Sequence, residues 1–254
     1  MRLAIMQPYF FPYLGYFQLI AAADKFILYD NLHYIRKGWM HRNRIRIKGR
    51  DPLYCSVPVR GASSQAYCRQ VCVDHTQRWP GKFLEMLTCN YQRAPFFAEV
   101  YPVIEHAVTR EATYLMEVNY RTLTAITALL EIPTVITQDI TAYEPFEAAV
   151  GDPSHPLMTT LRDTISAPDL KTLRVLYICR SEHADVYLNP MGGQAIYAKE
   201  VFARNQVTLQ FVEPHFRPYP QFDAAFIPGL SIIDVLMHCG REGTQQLLHD
   251  YTLR

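Results

Sequence analysis

The sequence predicts an α/β fold: a Rossmann-like parallel sheet carrying a mixed β and helical insertion. Three observations lead there. A strand–helix–strand unit fills the first 30 residues, strand–helix alternation returns after residue 134, and residues 31–130 between them are patterned differently. The simplest assembly is a single α/β domain over residues 1–254, with 31–130 inserted. A chain of 254 residues, 49% of them hydrophobic, is long enough to bury one large core.

The first unit reads element by element. Residues 2–6 (RLAIM) form a short apolar strand. Residues 14–24 place Leu14, Phe17, Ile20 and Ala21 on one helical face. Residues 25–30 (KFILYD) form a second buried strand ending in a carboxylate, which makes a right-handed βαβ unit. In the insertion, residues 42–50, 53–59 and 67–74 read as antiparallel strands. Residues 80–93, 96–110 and 113–131 read as helices, with Pro95 and Pro133 as punctuation. Beyond it, strands at 134–138, 184–189 and 207–213 alternate with helices at 170–183 and 193–205. Two helices, 231–239 and 242–251, close the chain. Residues 143–168, rich in Pro, Ser, Thr and Asp, read as a mobile loop.

The formal net charge of +1 excludes a globally polyelectrolyte surface, so any basic partner site is local. No nucleic-acid recognition module is visible. No apolar run approaches the roughly 20 residues of a membrane span, and residues 1–20 lack the regions of a secretory signal. The six cysteines show no framework spacing, so a cytoplasmic location with reduced thiols is expected. The 17 tyrosines supply apolar area with polar tips, as sugar and nucleotide pockets require, although tyrosine also fills cores.

In parallel sheets ligands bind at the carboxyl ends of the strands, near a topological switch point. The first such turn is QPYFFPYLGY. Pro8 and Pro12 stiffen it, Gly15 permits close backbone approach, and Gln7, Tyr9, Tyr13 and Tyr16 add polar groups at a helix N-terminus that favours anions. The turn is similar in shape to the HxGH-bearing turn of nucleotidyltransferases, with tyrosine where that motif has histidine. A tyrosine is neutral at pH 7 and does not replace an imidazolium. Asn189-Pro-Met-Gly192-Gly193 forms a second candidate cradle. Gln221, in a segment after the last strand, is placed to close the pocket.

The densest chemical segment follows the second strand. Asp30 is a candidate for ribose, metal or substrate ammonium. His33 and His41 are candidate proton-transfer groups by residue type, Arg36 and Arg44 are placed to fork phosphate or carboxylate, and Trp39 to stack on a base or sugar. Arg42, Arg44, Arg46, Lys48 and Arg50 alternate along one strand, which puts all five on one face. Most of that stripe reads as a solvated edge. Cys68 and Cys72 on one strand would lie about 13 Å apart, too far for one zinc ion. Ser231, Asp234 and His238 share a helical face, but Ser231-Ile-Ile-Asp234 reads as a capping box and Gly240 as the helix stop. Asp234 can still face the pocket.

Several stretches together resemble the bacterial WbqC-like protein family: MQPYFFPYLGYFQLI, DKFILYD, KGWMHRNRI, ADVYLNPMGG with AIYAKEVF, and FIPGLSIIDVLMHCG. They run in order along nearly the whole chain. The family occurs in O-antigen, other glycan and natural-product clusters. The resemblance implies acyl or aminoacyl transfer to an activated amino sugar or similar amine. It leads one to expect Asn at positions 41 and 239 and an acidic residue at 31, where this chain has His41, Cys239 and Asn31.

The reading that follows is a transferase with Asp30 and His41 as catalytic groups. Substrate binding falls to Gln7, Tyr13, Gly15, Tyr16, His33, Trp39, Asn43, Arg44, Asn189, Gly192, Gly193, Gln221 and Asp234. Expected partners are a nucleotide-linked small molecule and, as donor, a carrier protein or aminoacyl-tRNA. The sequence specifies no cofactor. An alternative reading as nucleotidyltransferase or carboxylate-activating enzyme brings ATP and Mg²⁺. Another makes the chain a non-catalytic binder of an activated sugar or carrier protein.

Overall fold

The computed structural model describes residues 1–222 and 225–254. Its elements, in chain order, begin with β1 (Arg2–Met6), α1 (Leu14–Ala22) and β2 (Lys25–Leu28). Residues 31–130 hold β3 (Arg42–Ile47), β4 (Arg50–Ser56), β5 (Val59–Arg60), β6 (Cys72–Val73), α2 (Trp79–Tyr91), α3 (Phe97–Thr109) and α4 (Leu115–Leu129). Then come β7 (Val135–Thr137), α5 (Glu144–Ala149), α6 (Pro156–Thr164), α7 (Leu170–Ser181) and β8 (Val186–Pro190). The chain ends with α8 (Lys199–Arg204), β9 (Thr208–Pro214), α9 (Ile232–Leu248) and β10 (Tyr251–Leu253).

A six-stranded sheet in the order β10-β9-β8-β1-β2-β7 forms the centre. All its pairings are parallel except β10 with β9. The chain leaves β1 toward β2 and β7, then returns to the other side of β1 with β8. The switch point therefore lies between β1 and β8. Alternation along the strands feeds two cores. Ala4, Phe26 and Leu28 pack with α1, α9 and α2 to α4, whereas Leu3 and Ile27 pack with α5 to α8. Residues 31–130 contribute no strand to this sheet; they form the β3–β4 hairpin, the short β5–β6 pair and α2 to α4.

Several local expectations are corrected. Residues 143–168 are not a loop: they hold α5 and α6, and Tyr143, Phe146, Met158, Leu161 and Ile165 are buried. The prolines that suggested a loop, Pro145 and Pro156, start these helices, where a missing N–H does no harm. Residues 67–74 are not one strand. Cys68–Gln70 is a 3₁₀ turn and β6 is two residues long, so the strand spacing assumed for Cys68 and Cys72 does not apply. The cation stripe is broken by a β-bulge between Ile45 and Ile47, which buries Arg46, while Lys48 falls in the exposed turn and Arg50 opens β4 as an exposed residue. The expected helix at 193–205 is a 3₁₀ turn, Met191–Ala195, followed by the short α8. The final helix stops at Leu248, and Tyr251 instead opens β10. Gly240 does interrupt α9, with φ of 64°. A Cβ there would fall 2.5 Å from the Phe96 ring. Among the described residues no helix is long and apolar enough to cross a membrane.

Candidate functional site

The turn after β1 is divided between core and solvent. Phe10 and Phe11 are fully buried and pack on Phe83, so α2 clamps the turn. Phe11 has φ of 38°, an uncommon conformation for a bulky side chain. Two side chains hold it there. The Asn43 amide donates to the Phe10 and Phe11 carbonyls at 3.2 and 2.7 Å, and the Ser231 hydroxyl donates to the Phe11 carbonyl at 2.8 Å. Ser231 also caps α9 through Ile233 N–H, as its sequence position predicts. Three of the motif stretches quoted above thus meet at one turn.

What this turn leaves uncovered is one wall of a cleft of about 340 Å³ at the carboxyl ends of β1, β8 and β9. Tyr9, Tyr13, Gly15 and Leu19 come from the turn and α1; Trp39 and Asn43 come from the segment entering β3. Pro190, Met191 and Gly192 follow β8, and Val212, Pro214, Phe216 and Gly229 complete the lining. The cleft therefore sits at the switch point, where the topology predicts it. Five of these residues, Tyr13, Gly15, Trp39, Asn43 and Gly192, belong to the expected set; Tyr9, Leu19, Pro190, Met191, Val212, Pro214, Phe216 and Gly229 lie outside it. The lining contains no carboxylate, imidazole or thiol among the described residues. Its polar groups are neutral. Burial raises the Tyr9 and Tyr13 hydroxyl pKa values, so both stay protonated near pH 7 and act as hydrogen-bond donors. Tyr9 accepts from the Gln7 amide at 2.6 Å, and among the described residues no group accepts its own proton, which can turn to a ligand. Tyr16 donates to the Gln7 carbonyl at 2.9 Å and is buried beneath the turn.

At Gly15 and Gly193 the glycine turns are not open cradles. A Cβ on Gly15 would fall 2.4 Å from the Tyr13 ring and 3.1 Å from Pro214, so the missing side chain makes room for protein, not for a ligand. At Gly193 a Cβ would meet the Asn189 side-chain oxygen at 2.0 Å. Asn189 is buried and donates to the Tyr187 hydroxyl at 2.6 Å. Gly192 alone of the three has nothing within 4 Å of where a Cβ would stand, and it lines the cleft.

Asp234 and Gln221 belong to a different cluster. Asp234 is 0% exposed. It accepts from the hydroxyls of Tyr91 and Tyr219, both at 2.7 Å, and from the Gln221 amide at 3.1 Å. Its carboxylate ties α2 and the segment after β9 to α9. It does not reach back to complete a capping box. His238 packs against Phe222 and Tyr91, and burial lowers its pKa.

Asp30, His33 and His41 lie in a third group, outside the cleft lining. One Asp30 oxygen is buried without a hydrogen-bond partner; burial raises its pKa, and Arg69 opposes the shift. His41 Nδ1 is 2.6 Å from the Tyr34 hydroxyl, and burial, then Arg42, hold its pKa below the usual range. His33 stacks on Tyr67 at 5.0 Å. Among the described residues no group of three or more His, Cys, Asp or Glu is placed to hold a metal ion.

The family model described as the WbqC-like protein family matches residues 7–246. The chain belongs to the WbqC-like protein family. An uncharacterized protein of Mycobacterium tuberculosis is 28% identical over 249 residues, covering 97% of each chain. No solved structure matches. The family match spans the turn after β1, the β3–β4 hairpin and the first part of α9, the segments whose side chains meet at Phe11.

Proposed function

We propose that this WbqC-like protein is a transferase of glycan or related secondary metabolism. It adds an acyl or aminoacyl group to the amine of a nucleotide-linked amino sugar or similar acceptor. The observation that carries the reading is the cleft at the β1/β8 switch point, walled by Tyr9, Tyr13, Trp39 and Phe216. Aromatic faces with neutral hydroxyl donors suit a sugar or nucleoside ring. Strand order and cleft position also support a Rossmann-like arrangement.

In this reaction the amine nitrogen bonds to the donor's carbonyl carbon, the donor's C–S or C–O bond breaks, and the nitrogen's proton ends on the leaving group. Holding acceptor and donor together supplies much of the acceleration. The groups expected to act on the amine are His41, kept neutral by burial, as proton acceptor and Asp30 as the group that orients the ammonium. Both lie outside the cleft lining, so on this reading the acceptor's amine extends beyond the cleft to reach them. The donor is an acyl carrier protein or an aminoacyl-tRNA.

A second reading, a non-catalytic binder of an activated sugar, is favoured by the cleft lining, which holds neutral groups alone among the described residues. A thermal-shift panel followed by a turnover assay separates the two. The panel holds UDP- and dTDP-amino sugars, free UDP and dTDP, coenzyme A, and ATP with Mg²⁺. Stabilisation by an amino-sugar nucleotide, with amide formation on adding donor, supports the transferase. Stabilisation without turnover, unchanged in His41→Gln, supports the binder. A response to ATP and Mg²⁺ alone overturns both.

A further inference from the structure

We infer that the cleft takes the phosphate groups of a nucleoside diphosphate on Arg44, braced by Trp39, and not on either glycine turn; this rests on the proposed nucleotide-linked acceptor. Three observations converge. The first is negative for the turns: the spaces at Gly15 and Gly193 are filled by Tyr13 and Asn189. An anion therefore has to find its charge elsewhere.

The second is the state of Arg44. Its guanidinium lies over the Trp39 ring at 5.7 Å, and Trp39 lines the cleft. Its Nε is buried without a hydrogen-bond partner, and among the described residues no carboxylate pairs with it. The neighbouring Arg42 is different, because it donates to the Gly38 and Lys37 carbonyls and covers Tyr54 at 4.6 Å. Nε is sealed from solvent, and Arg44 stands behind Trp39 and not in the cleft lining itself. An anion would therefore meet the terminal guanidinium nitrogens at the Trp39 edge of the cleft, where an arginine held on an aromatic face can fork two oxygens.

The third is how firmly this arginine is placed. Its N–H donates nothing outward: it is bound by the Asn43 side-chain oxygen at 2.8 Å, and its carbonyl accepts from Ser231 N–H at 2.9 Å. Arg44 opposes Tyr54 across the hairpin, and Tyr54 stacks on Trp39 at 6.2 Å. Backbone and ring are both fixed before any ligand arrives.

Trp39 also supplies the readout. The chain has two tryptophans, and Trp79 is buried in the core, so quenching of fluorescence reports on Trp39. The titrations use UDP, dTDP, uridine, inorganic pyrophosphate and coenzyme A on native protein, Arg44→Gln and Arg44→Lys. Quenching by UDP or dTDP, weaker with uridine, is expected. Arg44→Gln should raise the Kd for the diphosphates about ten- to a hundredfold and leave that for uridine unchanged. Arg44→Lys should recover part of the loss, and thermal melting should show both variants folded. Equal diphosphate affinity in native protein and Arg44→Gln overturns the inference, as does silence with every probe. Binding of coenzyme A but not UDP or dTDP overturns the nucleoside assignment. Arg44-dependent UDP binding without amide formation leaves this inference standing and removes the transferase. An unphosphorylated amino sugar acylated equally by native protein and Arg44→Gln does the reverse.

Discussion

Tyrosines inside the fold and tyrosines at the cleft differ in where their hydroxyl protons go. Around Asp234, Tyr91 and Tyr219 donate to a buried carboxylate. On the opposite side of the sheet Tyr29 donates to Glu147, and Tyr143 donates to Glu182. All of these protons are engaged within the protein. At the cleft Tyr9 accepts a bond, and among the described residues no group accepts its proton. The same residue type is therefore cement in one place and a ligand contact in the other. Hydrogen-bond satisfaction, not abundance, tells them apart.

The sharpest break between the two sets comes from Asp234→Ala. It removes three hydrogen bonds to a fully buried charge and strands two tyrosine hydroxyls, so urea unfolding should show a loss of about 4 kcal/mol. Tyr13→Phe in the cleft should stay within about 0.5 kcal/mol of native and weaken nucleotide binding instead. If both variants lose stability alike, the division fails.

The glycines test the same division on the backbone. Gly193→Ala drives a methyl into the Asn189 side chain and should cost about 1–3 kcal/mol by thermal melting. Gly192→Ala, with open space around it, should be close to neutral. Tyr219→Phe keeps the Asp234 carboxylate and its other two donors, so its loss should be smaller, about 1 kcal/mol.

The smallest effect is a pH dependence. His41 and His238 have folded-state pKa values held below the ordinary value, mainly by burial. As pH falls through about 6.5 the unfolded chain takes up these protons first. Their contribution is thus complete above that pH and is lost as pH falls through the folded values. Urea midpoints should drop between pH 7 and pH 5, and His41→Gln should flatten the profile. A midpoint that rises on acidification contradicts both burial assignments.

Much of this architecture is legible in the residues themselves. The short apolar runs in RLAIM and KFILYD mark β1 and β2, and each strand feeds both cores, as a strand buried on two faces does. Ser231 and Gly240 mark the start and break of α9 because capping and positive φ are local chemistry. The bulge that buries Arg46 is not legible, since it depends on pairing with β4. Nor is the fate of Gly15 and Gly193, whose gaps are filled by side chains that only the folded turn brings close. Asp234 misleads for a related reason: its partner Tyr91 is 143 residues away. Phe216 carries no signal of its own, because nothing in its neighbourhood separates a pocket wall from a surface ring.

The strand order carries one more consequence, for how the molecule comes to exist. β1 pairs locally with β2, but its other edge pairs Arg2 with Val186. The cleft draws on residues from Tyr9 to Gly229. Long loops must close before these contacts form, which places the central pairing among the late, slow events of folding. A growing chain emerging from the ribosome can bury Phe10 and Phe11 against α2 well before β8 arrives. The aromatic turn is thus set early, and the ligand site is completed last.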